Sequence, residues 1–141
     1  MTDTIETRSL TYEGARKIVA AAVDRATEMG VPQCISVVDP GGHLLACARM
    51  DGAFYMSLET SLVKAQTAAC YRRPTGWLPA GVDIKLAIAT QGKRVDLPGG
   101  LPIIVEGKVI GAIGVGSGTG EEDREVAKTA VATVSGAQKF D

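Results

Sequence analysis

The sequence predicts an α+β fold in which helices pack against a mainly antiparallel sheet. Two short turns, Pro40-Gly41-Gly42 and Glu106-Gly107-Lys108, each join two strand-like runs, which is the pattern of a β-hairpin. Segments with helical spacing of apolar residues precede, separate and follow these hairpins. The order α-β-β-α-β-β-α therefore favours one sheet covered by helices. The 141 residues fit a single domain, with residues 1–8 as a flexible N-terminal segment.

The first helix is predicted from Thr11 to Met29. Thr11 is suited to cap its N-terminus, whereas Gly30 and Pro32 favour its end. Its apolar residues recur at helical spacing, at Ala15, Ile18, Val19, Ala22, Val23 and Ala26.

The first hairpin and the second helix follow. Strands are predicted at Cys34–Asp39 and His43–Ala48, and the carboxylate of Asp39 is expected to accept hydrogen bonds from the backbone of the turn. A helix fits Ser57–Tyr71 and ends before Pro74. Its expected apolar stripe is formed by Leu58, Leu62, Ala65 and Ala69.

The second half begins with an irregular connection over residues 75–98, which contains a possible short helix at Asp83–Thr90. Strands at Leu101–Glu106 and Lys108–Gly116 form the second hairpin. A last helix begins near Thr119, with an apolar stripe of Val126, Ala130, Val131 and Val134.

The glycine-rich stretch Gly116-Ser-Gly-Thr-Gly120 raises the question of a phosphate-binding loop. A dinucleotide fingerprint needs a third glycine where this chain has Glu121, and a P-loop needs a lysine that is missing. The spacing from Thr119 to Glu122 matches a capping box instead. We therefore predict a self-capped helix start.

Composition excludes several classes of function. The formal net charge is −1 and no basic run occurs, so nothing indicates a nucleic-acid partner. No apolar run is long enough to span a bilayer, and the N-terminus lacks the features of a signal peptide, which favours a cytoplasmic protein. Cys34, Cys47 and Cys70 are expected to be reduced core residues. With His43 as the only histidine, no metal site is predicted.

Four charged residues stand out after the first hairpin. Arg49 and Asp51 follow its second strand and share one face, while Glu59 and Lys64 lie on the second helix. One interpretation is a set of surface salt bridges, each contributing little. The other is a polar cluster at the strand end, where Arg49 and Lys64 bind an anionic ligand in a cleft, with Asp51 or Glu59 able to carry protons.

Two further features are candidates for the same ligand site. The loop Leu97-Pro-Gly-Gly-Leu-Pro102 exposes bare backbone at Gly99 and Gly100, which either turns the chain tightly or lets a ligand approach. We expect Arg49 and Asp51 near Lys64 and this loop, with a second subunit closing the cleft. His43 follows the hairpin turn, where a histidine is more often solvated than a ligand.

Several of these motifs together resemble the GlcG/HbpS family, also called haem-binding or haem-degrading proteins, which includes the C-terminal domain of PduO-type proteins. The resemblance extends from about Ser9 to the end of the chain. It is carried by Val37-Val-Asp-Pro-Gly-Gly-His-Leu, Arg49-Met-Asp-Gly-Ala53, Lys64-Ala-Gln-Thr-Ala68, Leu97-Pro-Gly-Gly-Leu-Pro-Ile103 and Gly107-Lys-Val-Ile-Gly-Ala-Ile-Gly-Val115.

The resemblance implies a profilin-like α/β/α sandwich with helices on both sides of the sheet, and a homo-oligomer built from dimers. For function it implies two alternatives. In the first, the protein binds haem or another small anionic ligand, with His43 or a methionine as a possible axial ligand to the iron. Arg49, Lys64, Arg72 and Arg73 would then meet the carboxylates. In the second, it is a cofactor-free hydrolase that deaminates an amino-muconate-type carboxylate in aromatic degradation.

The enzyme hypothesis assigns a role to each residue of the polar cluster. An enamine substrate would tautomerise to an imine, which water hydrolyses, and this needs a carboxylate clamp and one acid–base group. Arg49 and Lys64 would form the clamp, and Asp51 or Glu59 would be catalytic.

Overall fold

A computed structural model describes residues 2–141. Its helices and strands are, in chain order, α1 (Tyr12–Met29), β1 (Cys34–Val38), β2 (Leu44–Arg49), α2 (Met56–Tyr71), α3 (Val82–Ala89), β3 (Gly100–Val105), β4 (Lys108–Gly116) and α4 (Gly120–Val131). Every predicted element is present, and each predicted end differs from the observed end by no more than one residue.

The four strands form one antiparallel sheet in the order β2-β1-β4-β3. Helices α1 and α4 pack against one face of the sheet and α2 packs against the other. The α+β class and the helix-sheet-helix sandwich are therefore confirmed. Both hairpin turns lie at one end of this sheet. At the other end, Cys34 pairs with Arg49 and with Gly116, so three strands meet there.

The larger core lies between the sheet and the helix pair α1 and α4. It is made of aliphatic side chains, which is consistent with a chain that contains few aromatic residues. Its fully buried members include Ile18, Ile35, Val37, Leu101, Ile103, Ile113, Val115, Val126 and Val131.

The opposite face of the sheet packs unusually close to α2. A Cβ atom added to Gly114 would overlap the carbonyl oxygen of Ser61, so only glycine fits there. The buried side of α2 is correspondingly small and polar, formed by Ser57, Ser61, Lys64, Ala65, Thr67, Ala68 and Ala69. The predicted apolar stripe is wrong in part. Leu58 is 39% exposed and Leu62 only half-buried, because the short distance between helix and sheet leaves no room for leucine.

The helix ends follow the local signals in the sequence. The Thr11 hydroxyl accepts a hydrogen bond from Gly14 N at 2.9 Å, and Gly30 ends α1 in a left-handed conformation. At α4, Thr119 and Glu122 form the reciprocal capping box, with Thr119 N donating to the Glu122 carboxylate at 2.9 Å. The helix-start interpretation of the glycine-rich stretch is confirmed.

One carboxylate joins the two ends of the connection over residues 75–98. Asp96 accepts hydrogen bonds from the backbone N–H groups of Gly76 at 2.7 Å and of Leu78 at 2.9 Å. Helix α3 has no buried residue, and its apolar side chains Ile84 and Ile88 are 62% and 71% exposed.

The prediction for the cysteines holds for only one of the three. Cys34 is buried in β1, but Cys47 and Cys70 are exposed. Cys47 lies on the edge strand β2, whose α2-side face no helix covers, and Cys70 is near the end of α2. Among residues 2–141, no helix has the length and apolar character needed to cross a membrane.

Candidate ligand sites at the two ends of the sheet

A cleft opens at the end of the sheet where β1 begins, β4 ends and helices α2 and α4 start. We call it the strand-end cleft. Its volume is about 320 Å³. Its walls include Phe54, Met56, Ser57, Thr60, Lys64, Leu97, Pro98, Ser117, Gly118, Gly120 and Asp123.

A buried ion pair forms part of this wall. The Nζ atom of Lys64 donates to Asp123 Oδ2 at 2.9 Å and to the carbonyl oxygen of Val115 at 2.8 Å. Both charged side chains are more than nine-tenths buried. An ammonium group has three N–H bonds. The third has no acceptor among the residues that the structure describes.

The other oxygen of Asp123 is held just as firmly. Asp123 Oδ1 accepts hydrogen bonds from Gln33 Nε2 and from the backbone N–H of Gly118, both at 2.9 Å. Gln33 is fully buried, and its Oε1 atom has no hydrogen-bond partner within residues 2–141. These contacts link the start of β1, the middle of α2 and the first turn of α4, so the ion pair is fixed by the fold.

Gly99 and Gly100 lie against this ion pair. Gly99 has φ = +120°, and a Cβ atom there would lie 2.9 Å from Asp123 Cβ and 3.2 Å from Lys64 Nζ. A Cβ atom on Gly100 would lie 2.5 Å from the Lys64 carbonyl oxygen. The absence of side chains at these two glycines therefore allows α2 and its Lys64 to pack closely against the loop.

Three hydroxyl groups face the cleft. Ser57 and Thr60, in the first turns of α2, make no side-chain hydrogen bond with any described residue, although Ser57 is only 3% exposed. Ser117 accepts a hydrogen bond from Phe54 N at 3.1 Å and has φ = +90°. A non-glycine residue in this region is strained, and such strain often occurs at functional sites.

The other residues of the predicted cluster lie at the same end of the sheet but outside this cleft. Arg49 is exposed, with its guanidinium 4.9 Å from the centre of the Tyr55 ring. Arg49 is the strand partner of Cys34. Burial raises the pKa of the Cys34 thiol, and this effect is larger than the lowering effects of Ser117 and Arg49. Asp51 and Glu59 are also exposed. Their catalytic roles, and ligand binding by Arg49, stay predictions.

A second cleft, the hairpin cleft, lies at the opposite end of the sheet and has a volume of about 570 Å³. His43 lies on its wall, and its Nδ1 atom is 3.1 Å from both carboxylate oxygens of Asp39. Since an ionised carboxylate can only accept, Nδ1 carries the hydrogen, and in the neutral imidazole the lone pair is on Nε2.

Asp39 also organises the turn, as predicted. Its Oδ1 atom accepts hydrogen bonds from the backbone N–H groups of Gly41 and His43, both at 2.9 Å. Burial acts to raise the pKa of Asp39, but the hydrogen bonds and the nearby His43 ring outweigh it, and the net effect lowers the pKa. The carboxylate therefore stays ionised and keeps the imidazole oriented.

Three cationic side chains line the hairpin cleft together with His43. Arg72 caps the end of α2, Lys108 follows the second hairpin turn, and Arg8 comes from the N-terminal segment. Arg8 also pairs with Glu106 on the surface, at 3.3 Å. The remaining wall is partly apolar and includes Ile5, Pro40, Ala69 and Val109, with Glu6 as one opposing charge.

The sequence matches the family model described as "Haem degrading protein HbpS-like" over residues 10–132. The chain belongs to the HbpS-like family. The resemblance to the GlcG/HbpS family that the motifs predicted is confirmed.

Known proteins similar to this HbpS-like chain agree in fold and extent. An uncharacterised 15.0 kDa protein of Citrobacter freundii is 43% identical over 128 residues, which is 87% of this chain and 90% of the relative. The crystal structure of protein ORFY of Klebsiella pneumoniae has a TM-score of 0.89 and 35% identity, over 94% of each chain. The crystal structure of a PduOC:heme complex has a TM-score of 0.86 and 30% identity, over 94% of this chain and 99% of that chain.

Sequence reasoning missed some residues of the strand-end cleft in this HbpS-like chain. In the sequence, Asp123 is one of several acidic residues at a helix start, and Gln33 lies between a helix and a strand. Gln33 is 90 residues away from Asp123, and Lys64 is 59 away. No local pattern relates them. The one available signal was Lys64, a lysine on a helix face that otherwise consists of small residues.

Proposed function

We propose that this protein binds haem, or a similar planar ligand with carboxylate groups, in the hairpin cleft, with His43 as the axial ligand. The observation that carries the proposal is His43 itself, the only histidine in the chain, with Nε2 free and Nδ1 held by a carboxylate. Haem iron is commonly held by one histidine. The likeness to the PduOC:heme complex supports this class of ligand.

The carboxylate partner of His43 suits a metal ligand. Histidines that bind metals usually donate the other ring N–H to a carboxylate or carbonyl group, which fixes the tautomer and raises the basicity of the coordinating nitrogen. Asp39 occupies that position, and its lowered pKa favours the negative form. The hairpin turn thus holds one coordinating nitrogen in a defined orientation.

The charges and size of the cleft also fit haem. Haem carries two propionates, and guanidinium or ammonium groups of Arg72, Lys108 and Arg8 are suitable partners for them. A volume of about 570 Å³ is within the range of cofactor pockets. Ile5, Pro40, Ala69 and Val109 offer apolar contact to the ring. Bound haem would supply an iron centre for ligand or electron chemistry.

Titration of the purified apoprotein with hemin tests the proposal. We expect a saturable shift of the Soret band at micromolar hemin, lost in His43→Ala and weakened in Arg72→Ala. Lys85→Ala on α3 serves as the matched surface control and should bind like the wild type. Absence of a saturable shift, or unchanged binding by His43→Ala, contradicts the proposal.

The exposed apolar residues support a homo-oligomer as part of the same proposal. The edge strand β2 has an unpaired side, and Phe54, Tyr55 and Met56 beside it are 65%, 77% and 69% exposed. Exposed apolar patches of this kind often mark contacts between subunits. Light scattering after gel filtration should therefore give a mass of at least a dimer. Tyr55→Glu should reduce it, and a monomeric wild type contradicts this part of the proposal.

A further inference from the structure

We infer that the strand-end cleft is a second ligand site, which takes a small monocarboxylate with an apolar body. This site is at the opposite end of the sheet from the hairpin cleft, and the inference does not depend on haem binding. It rests on three observations: converging unpaired donors, a local field that favours one negative charge, and an apolar rim.

The first observation is a pair of hydroxyls that face the same point. A Cβ atom on Gly116 would lie 3.1 Å from Thr60 Oγ1 and 3.4 Å from Ser57 Oγ. The two oxygens therefore lie close together over the end of β4, and both residues line the strand-end cleft. Neither hydroxyl has a hydrogen-bond partner elsewhere in residues 2–141, although Ser57 as a residue is only 3% exposed. The one fully buried polar side-chain atom without a partner in residues 2–141 is Gln33 Oε1, so both hydroxyl oxygens keep contact with the open cleft. Each can donate into it, and one carboxylate oxygen could accept from both.

The ammonium group of Lys64 adds a third donor to the wall of the same cleft. Two of its N–H groups are used by Val115 and Asp123, and the third has no acceptor among the described residues. The charge of Lys64 is balanced by Asp123, so the pair stays buried without a ligand. A carboxylate oxygen at the third N–H would make a charge-assisted hydrogen bond.

The local field favours one negative charge and opposes two. Helices α2 and α4 both begin at the cleft, and the N-terminus of a helix carries the positive end of its dipole. The first turn of α4 also carries Glu121, Glu122 and Asp123. These carboxylates would repel a dianion such as phosphate more than a monocarboxylate. The ligand class is therefore a monocarboxylate.

The rim of the cleft limits the rest of the ligand. Phe54, Met56 and Leu97 line the mouth and are 65%, 69% and 49% exposed, which leaves apolar surface for a ligand to cover. A volume of about 320 Å³ is at the small end of ligand pockets. An aromatic or short aliphatic carboxylate fits this size, whereas a porphyrin belongs to the larger cleft.

Calorimetric titration with sodium benzoate, without haem, tests the inference. We expect saturable binding that weakens about tenfold in Ser57→Ala and in Thr60→Val, since each removes one hydrogen bond to a charged group. Both variants should fold normally because neither hydroxyl has a protein partner to lose. Thr129→Val, which removes a hydroxyl from α4 outside the cleft, is the matched control. Benzamide and inorganic phosphate should bind at least tenfold more weakly than benzoate.

Amide NMR spectra locate the bound benzoate. The inference expects shifts of the Gly118 and Gly120 resonances, while Gly41 and Gly42 of the hairpin stay in place. It is overturned by absence of saturable benzoate binding, by unchanged affinity in both hydroxyl variants, or by shifts confined to the hairpin glycines. Benzamide or phosphate binding as tightly as benzoate overturns the ligand class.

Discussion

The two clefts lie at opposite ends of helix α2, and they differ in how their polar groups are held. In the strand-end cleft, Lys64 and Asp123 are buried and bonded to partners from distant parts of the chain. In the hairpin cleft, His43 is exposed and its partner Asp39 is four residues away. The first arrangement is part of the packing between helix and sheet, whereas the second rests on one turn.

This difference separates stability from binding. Substitutions at the strand end should change the free energy of unfolding, because buried charges and close backbone contacts are involved. Substitutions at the hairpin should leave the fold nearly intact and change only the ligand site. The following predictions compare the two ends, beginning with the largest expected effect.

Lys64→Met should destabilise the protein by about 3–5 kcal/mol, because Asp123 is left buried without a counter-charge. The double variant Lys64→Met/Asp123→Asn should recover part of that loss, since no unpaired charge remains and the asparagine oxygen can still accept from Gln33 Nε2 and Gly118 N–H. Urea unfolding measures both. Arg72→Met in the hairpin cleft is the comparison and should change stability by no more than about 0.5 kcal/mol. Equal losses at the two ends would contradict the distinction.

Gly100→Ala should destabilise the protein by about 2–3 kcal/mol, since the new methyl group meets the backbone of α2 at Lys64 and the helix must move. At the hairpin end, Gly107 has φ = +75° and open space around it. Gly107→Ala should therefore cost about 1 kcal/mol, from backbone strain alone. Thermal unfolding of both variants gives the order, and a larger effect at Gly107 would be evidence against close packing at Gly100.

Asp39→Asn should lower stability by about 1 kcal/mol at neutral pH, because the ionised carboxylate organises the turn. The folded pKa of Asp39 is lowered, so its contribution is complete above the unfolded value of about 3.9. That contribution is lost as the pH falls through the folded pKa. The difference between variant and wild type should therefore shrink in acid, as urea unfolding at several pH values will measure. A difference that grows in acid would contradict the lowered pKa.

The smallest expected difference is in the reactivity of the three cysteine thiols. Cys47 and Cys70 are exposed, whereas Cys34 is buried and burial raises the pKa of its thiol. Iodoacetamide at neutral pH should modify the two exposed thiols first, as followed by mass spectrometry of peptides. Cys34 should react only after unfolding in urea. Rapid labelling of native Cys34 would indicate an open strand end.

Local interactions explain which predictions succeeded. The N-cap at Thr11, the capping box at Thr119 and the Asp39 turn each involve residues within four positions of one another. Such contacts are formed by any chain with the same short sequence, so they are readable directly. Hydrophobic periodicity likewise located the helices and strands, because burial of one face follows from the period.

The tertiary structure alone decided which residues form the strand-end cleft. The sequence by itself determined the elements, their order and a lysine on α2. It did not determine that Gln33, Lys64 and Asp123 meet, because their contact depends on how β1, α2 and α4 pack on the sheet. It also placed Leu58 on the buried stripe of α2, where the glycines of β4 bring the helix too close for a leucine. The distance between a helix and a sheet depends on the side chains of both surfaces. The periodic pattern of one helix alone therefore does not determine it.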